Sequence, residues 1–281
     1  MKNITNITKL LLRQLVELVE FVCSFVYWIY LAIRREKTRR VIIYYHSIKK
    51  RDLGSFQKQM KYLANKCCVV KASQIKTAQA NGKKIMVAIT FDDGFISITK
   101  YALPILEKYG LEGALFVPTG CLGLHPHWST DPLWYPDSDE TIMSEKQIIE
   151  LSTTHFEIFS HTVSHKPLTE FEDDRLITEM TESKHTLEKL TGKKVAAISY
   201  PIGVYNPRVC QAAEQAGYEF GFTTDPCMVD NSANNFQIGR FHVKPADNLL
   251  KFKLKVMGAY QVSMYLRTAK TSLKNCFSRT S

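Results

Sequence analysis

Two short segments of this 281-residue chain carry the residue types and spacing that metal-assisted hydrolysis needs. Thr90-Phe91-Asp92-Asp93-Gly94 sets two adjacent carboxylates behind an apolar run. Buried, such a pair is expensive unless each member has work or a partner. Exposed, Asp-Gly is a plain turn signal. Successive side chains point in different directions, so one carboxylate can bind a metal while the other addresses a water. Ser160-His161-Thr162-Val163-Ser164-His165 holds two histidines at i and i+4, which one helical turn would bring to the same side. Two imidazoles and one carboxylate form a ligand set for a catalytic zinc, with positions left for water and substrate. The cysteines offer no rival site. There are seven, Cys67 and Cys68 are adjacent, no CxxC pair occurs, and the usage reads as reduced thiols.

Strand-like apolar runs alternate with helix-like amphipathic stretches around these groups. The strands are expected at 41–45, 86–90, 113–117, 156–159, 195–199, 220–223 and 240–243. Helices are expected between them, at 54–65, 98–109, 144–153, 173–191 and 208–216. Ser144 and Gln147 have capping-box spacing, and Gly192 and Gly217 sit where helices should stop. This alternation predicts an α/β fold with a mostly parallel sheet and right-handed crossovers. Seven or so units suggest a distorted or incomplete (β/α)7 barrel, with an open doubly wound sheet as the alternative. In both, reactive groups belong at the C-terminal ends of strands. His46, Asp92, Asp93, His161, His165 and Ile202 each follow an apolar run, and His242 lies in the last one.

TFDDG, SHTVSH and YPIGVYN, taken in order, resemble the successive motifs of the polysaccharide deacetylase family, the NodB-homology or carbohydrate esterase 4 group. The helix–strand texture on both sides of YPIG is similar too, and the likeness covers roughly residues 41–243. YYHSI, and the phenylalanine after DDG, resemble the branch acting on poly-N-acetylglucosamine more than the peptidoglycan or chitin branch. The resemblance implies that Asp92 is the general base and that Asp93, His161 and His165 hold one divalent ion, with zinc the expected metal. It implies an oxyanion donor at the amide of Ile202, with Tyr200 beside it in the substrate-binding motif, and a histidine as proton donor to the leaving amine. Two departures stand out. The arginine that usually precedes the proline motif is replaced by Ser199, and Tyr200 takes the first proline's place. Arg240, on the last strand, is the candidate to pair with the catalytic carboxylate instead. No clean leucine-x-histidine motif closes the domain, so the acid is sought at His242, then His46, then His125 or His127.

The composition is that of a folded globular protein, 45% hydrophobic and 23% charged. The net charge of +10 is unevenly spread: residues 1–40 hold eight Lys+Arg against three Glu, and residues 244–281 hold eight against one Asp. The middle is slightly acidic, which argues against a nucleic-acid groove and for basic arms meeting an anionic membrane surface. Domain boundaries are therefore set at 1–40 for an N-terminal amphipathic helix and basic linker, 41–243 for the catalytic domain, and 244–281 for a basic C-terminal arm. In the first arm Arg13, Glu17, Glu20 and Ser24 form one stripe on an otherwise apolar helix. Interfacial, spanning and protein-packed placements all suit it. The basic cluster after Ile33, with the thiols, places the enzyme on the cytoplasmic face of the inner membrane, uncleaved. The long connection 119–143, with Trp128 and Trp134, suits a substrate lid.

The expected function is removal of an N-acyl group, acetyl or formyl, from an amino sugar of a cell-envelope or lipid-linked glycan. The alternative is an inactive glycan-binding or scaffold member of the same fold in a polysaccharide assembly. A non-sugar amide substrate is a third reading.

Overall fold

The computed structural model describes residues 2–33, 38–126, 128 and 140–265, with side chains from Gln14 onward. Its elements follow the expected alternation: α1 (Lys2–Ile33), β1 (Arg39–Tyr45), α2 (Leu53–Lys66), β2 (Cys68–Val69), β3 (Ile85–Phe91) and α3 (Leu103–Lys108) come first. Then come β4 (Gly113–Val117), α4 (Glu145–Ser152), β5 (Phe156–Ser160), α5 (Asp173–Thr191), β6 (Ala197–Ser199) and α6 (Pro207–Gln215). β7 (Phe220–Phe222), β8 (Phe241–His242) and α7 (Leu249–Val256) complete the series. The caps read from sequence form as expected. Ser144 and Gln147 make a reciprocal capping box, and Gly192 ends α5 in the left-handed region at φ 67°.

All strand pairs are parallel, in the order β7-β6-β5-β4-β3-β1-β8. The short β2, not anticipated from sequence, shares one edge of β3 with β4. Ile238 bridges Phe222 of β7, and Phe241, three residues on, pairs with Ile43 of β1. One short segment thus touches both ends of the sheet, and the distortion of the barrel lies there. Inside sit Ile42, Met86, Ala88, Phe116, Phe159 and Phe222. Outside, Val41, Ile43, Val87, Ile89 and Phe91 pack against the helices through Phe56, Met60, Leu106 and Met180.

The two ends of the chain meet on one flank. α7 packs against β1, α2 and α1, and Phe252, Leu254, Lys255 and Val256 are buried. This segment, assigned from sequence to a lipid-facing arm, is packed on the barrel. Its alternation of cation and apolar residue is wound into a helix that is covered on most sides. The arm's remaining cations, from Arg267 on, lie outside the described residues.

Candidate active site

Period-two alternation carries the reactive groups to one place. On β3, Met86 and Ala88 point into the barrel, so Thr90 and then Asp92 continue the same inner face. The same parity takes Ile42 to His46 on β1, Phe159 to His161 on β5, Ala197 to Ser199 on β6, and Ile238 to Arg240 and His242 at the closure. His46, Asp92, Asp93, Trp128, His161, His165, Ile202 and His242 line one cleft of about 680 Å³ at the C-terminal ends of the strands.

Asp92 and Asp93 divide their directions. Asp92, 3% exposed, receives a two-pronged hydrogen bond from Arg240, Nη1 to Oδ1 at 2.7 Å and Nη2 to Oδ2 at 2.8 Å. Arg240 is wholly buried, and its remaining N–H groups donate to the Thr223 carbonyl, the Thr90 hydroxyl and Ser199 Oγ. Its guanidinium lies 4.6 Å from the Tyr44 ring centroid and 5.1 Å from that of Phe116. Ser199 is what an arginine at that position could not be: small enough to admit the guanidinium arriving from the last strand. Burial alone would raise the Asp92 carboxyl, but the charge of Arg240, then that of His161, the Arg240 hydrogen bonds and His46 together outweigh it and hold it below the usual carboxylate range.

Asp93 turns the other way, in the left-handed region at φ 70°. Its Oδ1 lies 3.4 Å from His161 Nε2 and 3.1 Å from His165 Nε2. Three donors at about 2.0–2.1 Å around a tetrahedral ion would stand roughly 3.3 Å apart, so this buried trio fits a divalent ion such as zinc. His161 Nδ1 donates to the Ser199 carbonyl at 2.8 Å, which fixes the tautomer and leaves Nε2 as the ligand lone pair.

The histidine pair is not built as expected. Residues 161–165 form no helical turn; Thr162 at φ 67° and His165 at φ 55° make an irregular loop, which brings the rings to 4.7 Å. Glu179 of α5, fully buried, holds that loop by accepting the N–H groups of Val163 (3.1 Å) and Ser164 (2.8 Å). Sequence reasoning missed Glu179. Its signal was a carboxylate on the apolar stripe of α5, between Leu176 and Leu187.

Ile202 adopts φ 60°, unusual for a β-branched residue, and is 63% exposed in the cleft wall. The next residue must be glycine, because a Cβ on Gly203 would stand 1.9 Å from Thr224 Oγ1. Tyr200 is fully buried, and its hydroxyl donates to the Phe236 carbonyl at 3.0 Å, away from the cleft. Tyr200 therefore contributes its backbone and shape, and its side chain offers no substrate contact through the hydroxyl. His46 and His242 face each other at 5.5 Å between ring centroids. Burial, then His46 and Lys255, Lys244 and Lys251, push the His242 imidazole well below its usual range, so it is neutral at rest. His125 is exposed, bonds the Glu140 carbonyl and does not line the cleft. His127 and Trp134 lie outside the described residues. Trp128 stacks on His165 at 3.9 Å between centroids. The far end of the cleft is formed by Val16, Glu17 and Glu20 of α1 with Lys244, Lys251 and Lys255, none of which sequence reasoning placed at the site.

The sequence pattern of the family described as polysaccharide deacetylase matches residues 79–221, about half of the chain. The Bacillus subtilis protein YxkH, which carries that family's name, is 29% identical over 242 residues, 83% of this chain and 80% of its own length. The poly-beta-1,6-N-acetyl-D-glucosamine N-deacetylase of Staphylococcus aureus is 25% identical over 199 residues, 66% of this chain and 65% of that enzyme. Among solved structures, the Streptococcus pyogenes deacetylase PplD in complex with acetate superposes with a TM-score of 0.65 at 23% identity, covering 79% of this chain and 99% of that one. IcaB from Ammonifex degensii superposes with a TM-score of 0.63 at 21% identity, covering 80% and 97%. At those identities the two structures speak for the fold.

Proposed function

The chain belongs to the polysaccharide deacetylase family, hydrolases of the amide C–N bond of N-acetyl groups, and from that premise we propose how its own residues divide the work and on what. Asp93, His161 and His165 are the residues that would hold a divalent ion. When bound, the ion supplies polarisation of the amide carbonyl and acidification of a water. Asp92, kept ionised by Arg240, accepts the proton of the attacking water. As the new C–O bond forms, the N–H of Ile202 receives the charge developing on the carbonyl oxygen. His242, facing His46, hands a proton to the amine as the C–N bond breaks. Neutral at rest, it gains that proton within the turnover, in net the one that Asp92 takes from the attacking water. Water and amide are consumed; acetate and a free amine leave.

The observation that carries this reading is the divergence of Asp92 and Asp93, one onto a buried arginine and the other onto two imidazoles. It also weighs against the inactive-scaffold alternative, whose support was the missing arginine, since Arg240 pairs with Asp92. The substrate proposed is an N-acetylated amino sugar of a cell-envelope or lipid-linked glycan, with zinc as the ion and Trp128 as part of a lid over it. The location proposed is the cytoplasmic face of a membrane. Among the described residues one helical stretch, Gln14–Ile33 of α1, is long and apolar enough to cross one, and Arg34, Arg35 and Lys37 follow it in the sequence. The test is release of acetate or formate from N-acylated oligosaccharides and from lipid-linked amino sugars by metal-analysed protein. Absence of release from every one, with metal bound, overturns the reading.

A further inference from the structure

α1 turns its polar stripe toward the enzyme and its apolar side outward. Ser24 and Leu31 are buried, Phe21 and Trp28 pack on the main core, and Glu17 faces Lys244 at 3.4 Å and Lys251 at 3.8 Å. Glu20 shares the cleft with them. The outward residues Leu18, Val19, Val22, Val26 and Ile29 are 57%, 47%, 51%, 60% and 44% exposed. A helix on a water-facing surface carries the opposite pattern, apolar inward and polar outward.

The helix is also held along its length. Near its C-terminal end, Arg39 at the start of β1 donates from Nη2 to the Leu31 carbonyl at 2.7 Å. Glu17 meets Lys244, just beyond β8 and at the opposite end of the barrel. From Glu17 to Leu31 a helix rises about 21 Å. β1, with seven residues, covers about 20 Å. α1 therefore runs antiparallel to β1 over the full height of the barrel. A helix held this way cannot cross a bilayer upright without drawing the barrel's flank into hydrocarbon, where loops and cations find no partners. Lying flat, it immerses the outward face alone.

The N-terminal end of this docked stretch is a wall of the catalytic cleft, through Val16, Glu17 and Glu20. We infer that α1 is a side-on docking surface for an anionic bilayer, which sets the mouth of the cleft at the level of the lipid headgroups, so that the cleft takes an amino sugar borne by a membrane lipid. In the sequence the basic run Arg34, Arg35 and Lys37 directly follows the helix, a charge complement to that surface. The substrate part rests on the deacetylase reading of the cleft; the docking part does not.

The experiment uses the full chain, tagged at both termini and bound to sealed vesicles of phosphatidylcholine and phosphatidylglycerol. Protein should sediment with the vesicles, and external protease should remove both tags. Protection of one tag means that α1 spans, and overturns the inference. Failure to sediment, or a dimer that excludes vesicles, overturns it in favour of a packed or self-associating face. The variant Val22→Asp/Val26→Asp should lower vesicle affinity at least about tenfold, and with it the ratio of turnover on a lipid-borne N-acetyl amino sugar to turnover on a short water-soluble one. An unchanged ratio overturns the substrate part. No turnover of either substrate by the parent protein instead fails the deacetylase reading, while sedimentation and tag cleavage still decide the docking.

Discussion

Replacing Arg240 by Met tests the centre of the mechanism. The guanidinium is wholly inaccessible and makes two bonds to Asp92 and one each to Thr90, Thr223 and Ser199. Removing one partner of a buried ion pair costs about 3–5 kcal/mol, because the other charge stays behind without compensation. Against a domain stability of about 5–15 kcal/mol that loss is easily read. Asp92→Asn should cost a similar amount, since Arg240 cannot shed its proton. The double variant removes both charges, so it should cost less than the sum of the singles by about 2–3 kcal/mol. Arg240→Lys keeps the charge but loses the two-pronged fork and should fall between parent and Met. Urea unfolding of the four proteins at equal metal content, followed by near-ultraviolet circular dichroism, gives the cycle. If the single changes add to within about 0.5 kcal/mol, the pair is not coupled, and Arg240 is not what keeps Asp92 ionised.

His161→Ala should lose bound metal and turnover together in elemental analysis and acetate release. Asp92→Asn should keep its metal and lose turnover, and near-normal kcat in that variant would refute the base assignment. Glu179→Ala frees the Val163 and Ser164 amides, and metal affinity measured by competition with a chelator should fall about 10–100-fold, as for other outer-shell losses. His242 is held below its unfolded pKa, so the unfolded chain binds more protons there as pH falls under about 6.5, and stability drops with falling pH. His242→Gln should flatten the stability–pH slope below pH 6.5 by up to about 1.4 kcal/mol per pH unit, and an unchanged slope would show that His242 titrates freely.

The parallel barrel was legible because every strand from β3 to β7 carries an apolar run bounded by turn residues, and α4, α5 and α6 between them carry caps. The same alternation put the site within reach. Once Met86 and Ala88 are inward, Thr90 and Asp92 must be inward too, and the Asp-Asp pair must diverge. Arg240 could be named because the family resemblance implies an arginine beside the catalytic carboxylate, and Ser199 stands where that arginine usually does. The loop 161–165 was misread as a helical turn because i, i+4 spacing has more than one solution. The one adopted depends on Glu179, which no periodicity ties to it.

The ends of the chain show the sharper limit. Glu17, Glu20 and the lysines after His242 looked like two separate basic arms because charge counts along a sequence carry no information about which segments meet. The fold brings residues more than 200 positions apart into contact: Glu17 lies 3.4 Å from Lys244, and together they border the cavity that holds Asp92 and Asp93. The arms therefore do two things at once. Their inward charges pair with each other beside the reacting groups, and the outward apolar face of α1 stays exposed. That placement explains why two glutamates interrupt an otherwise membrane-like helix: they are polar where the helix meets the cleft, and a uniformly apolar helix would leave Lys244 and Lys251 without the Glu17 carboxylate that now offsets their charge.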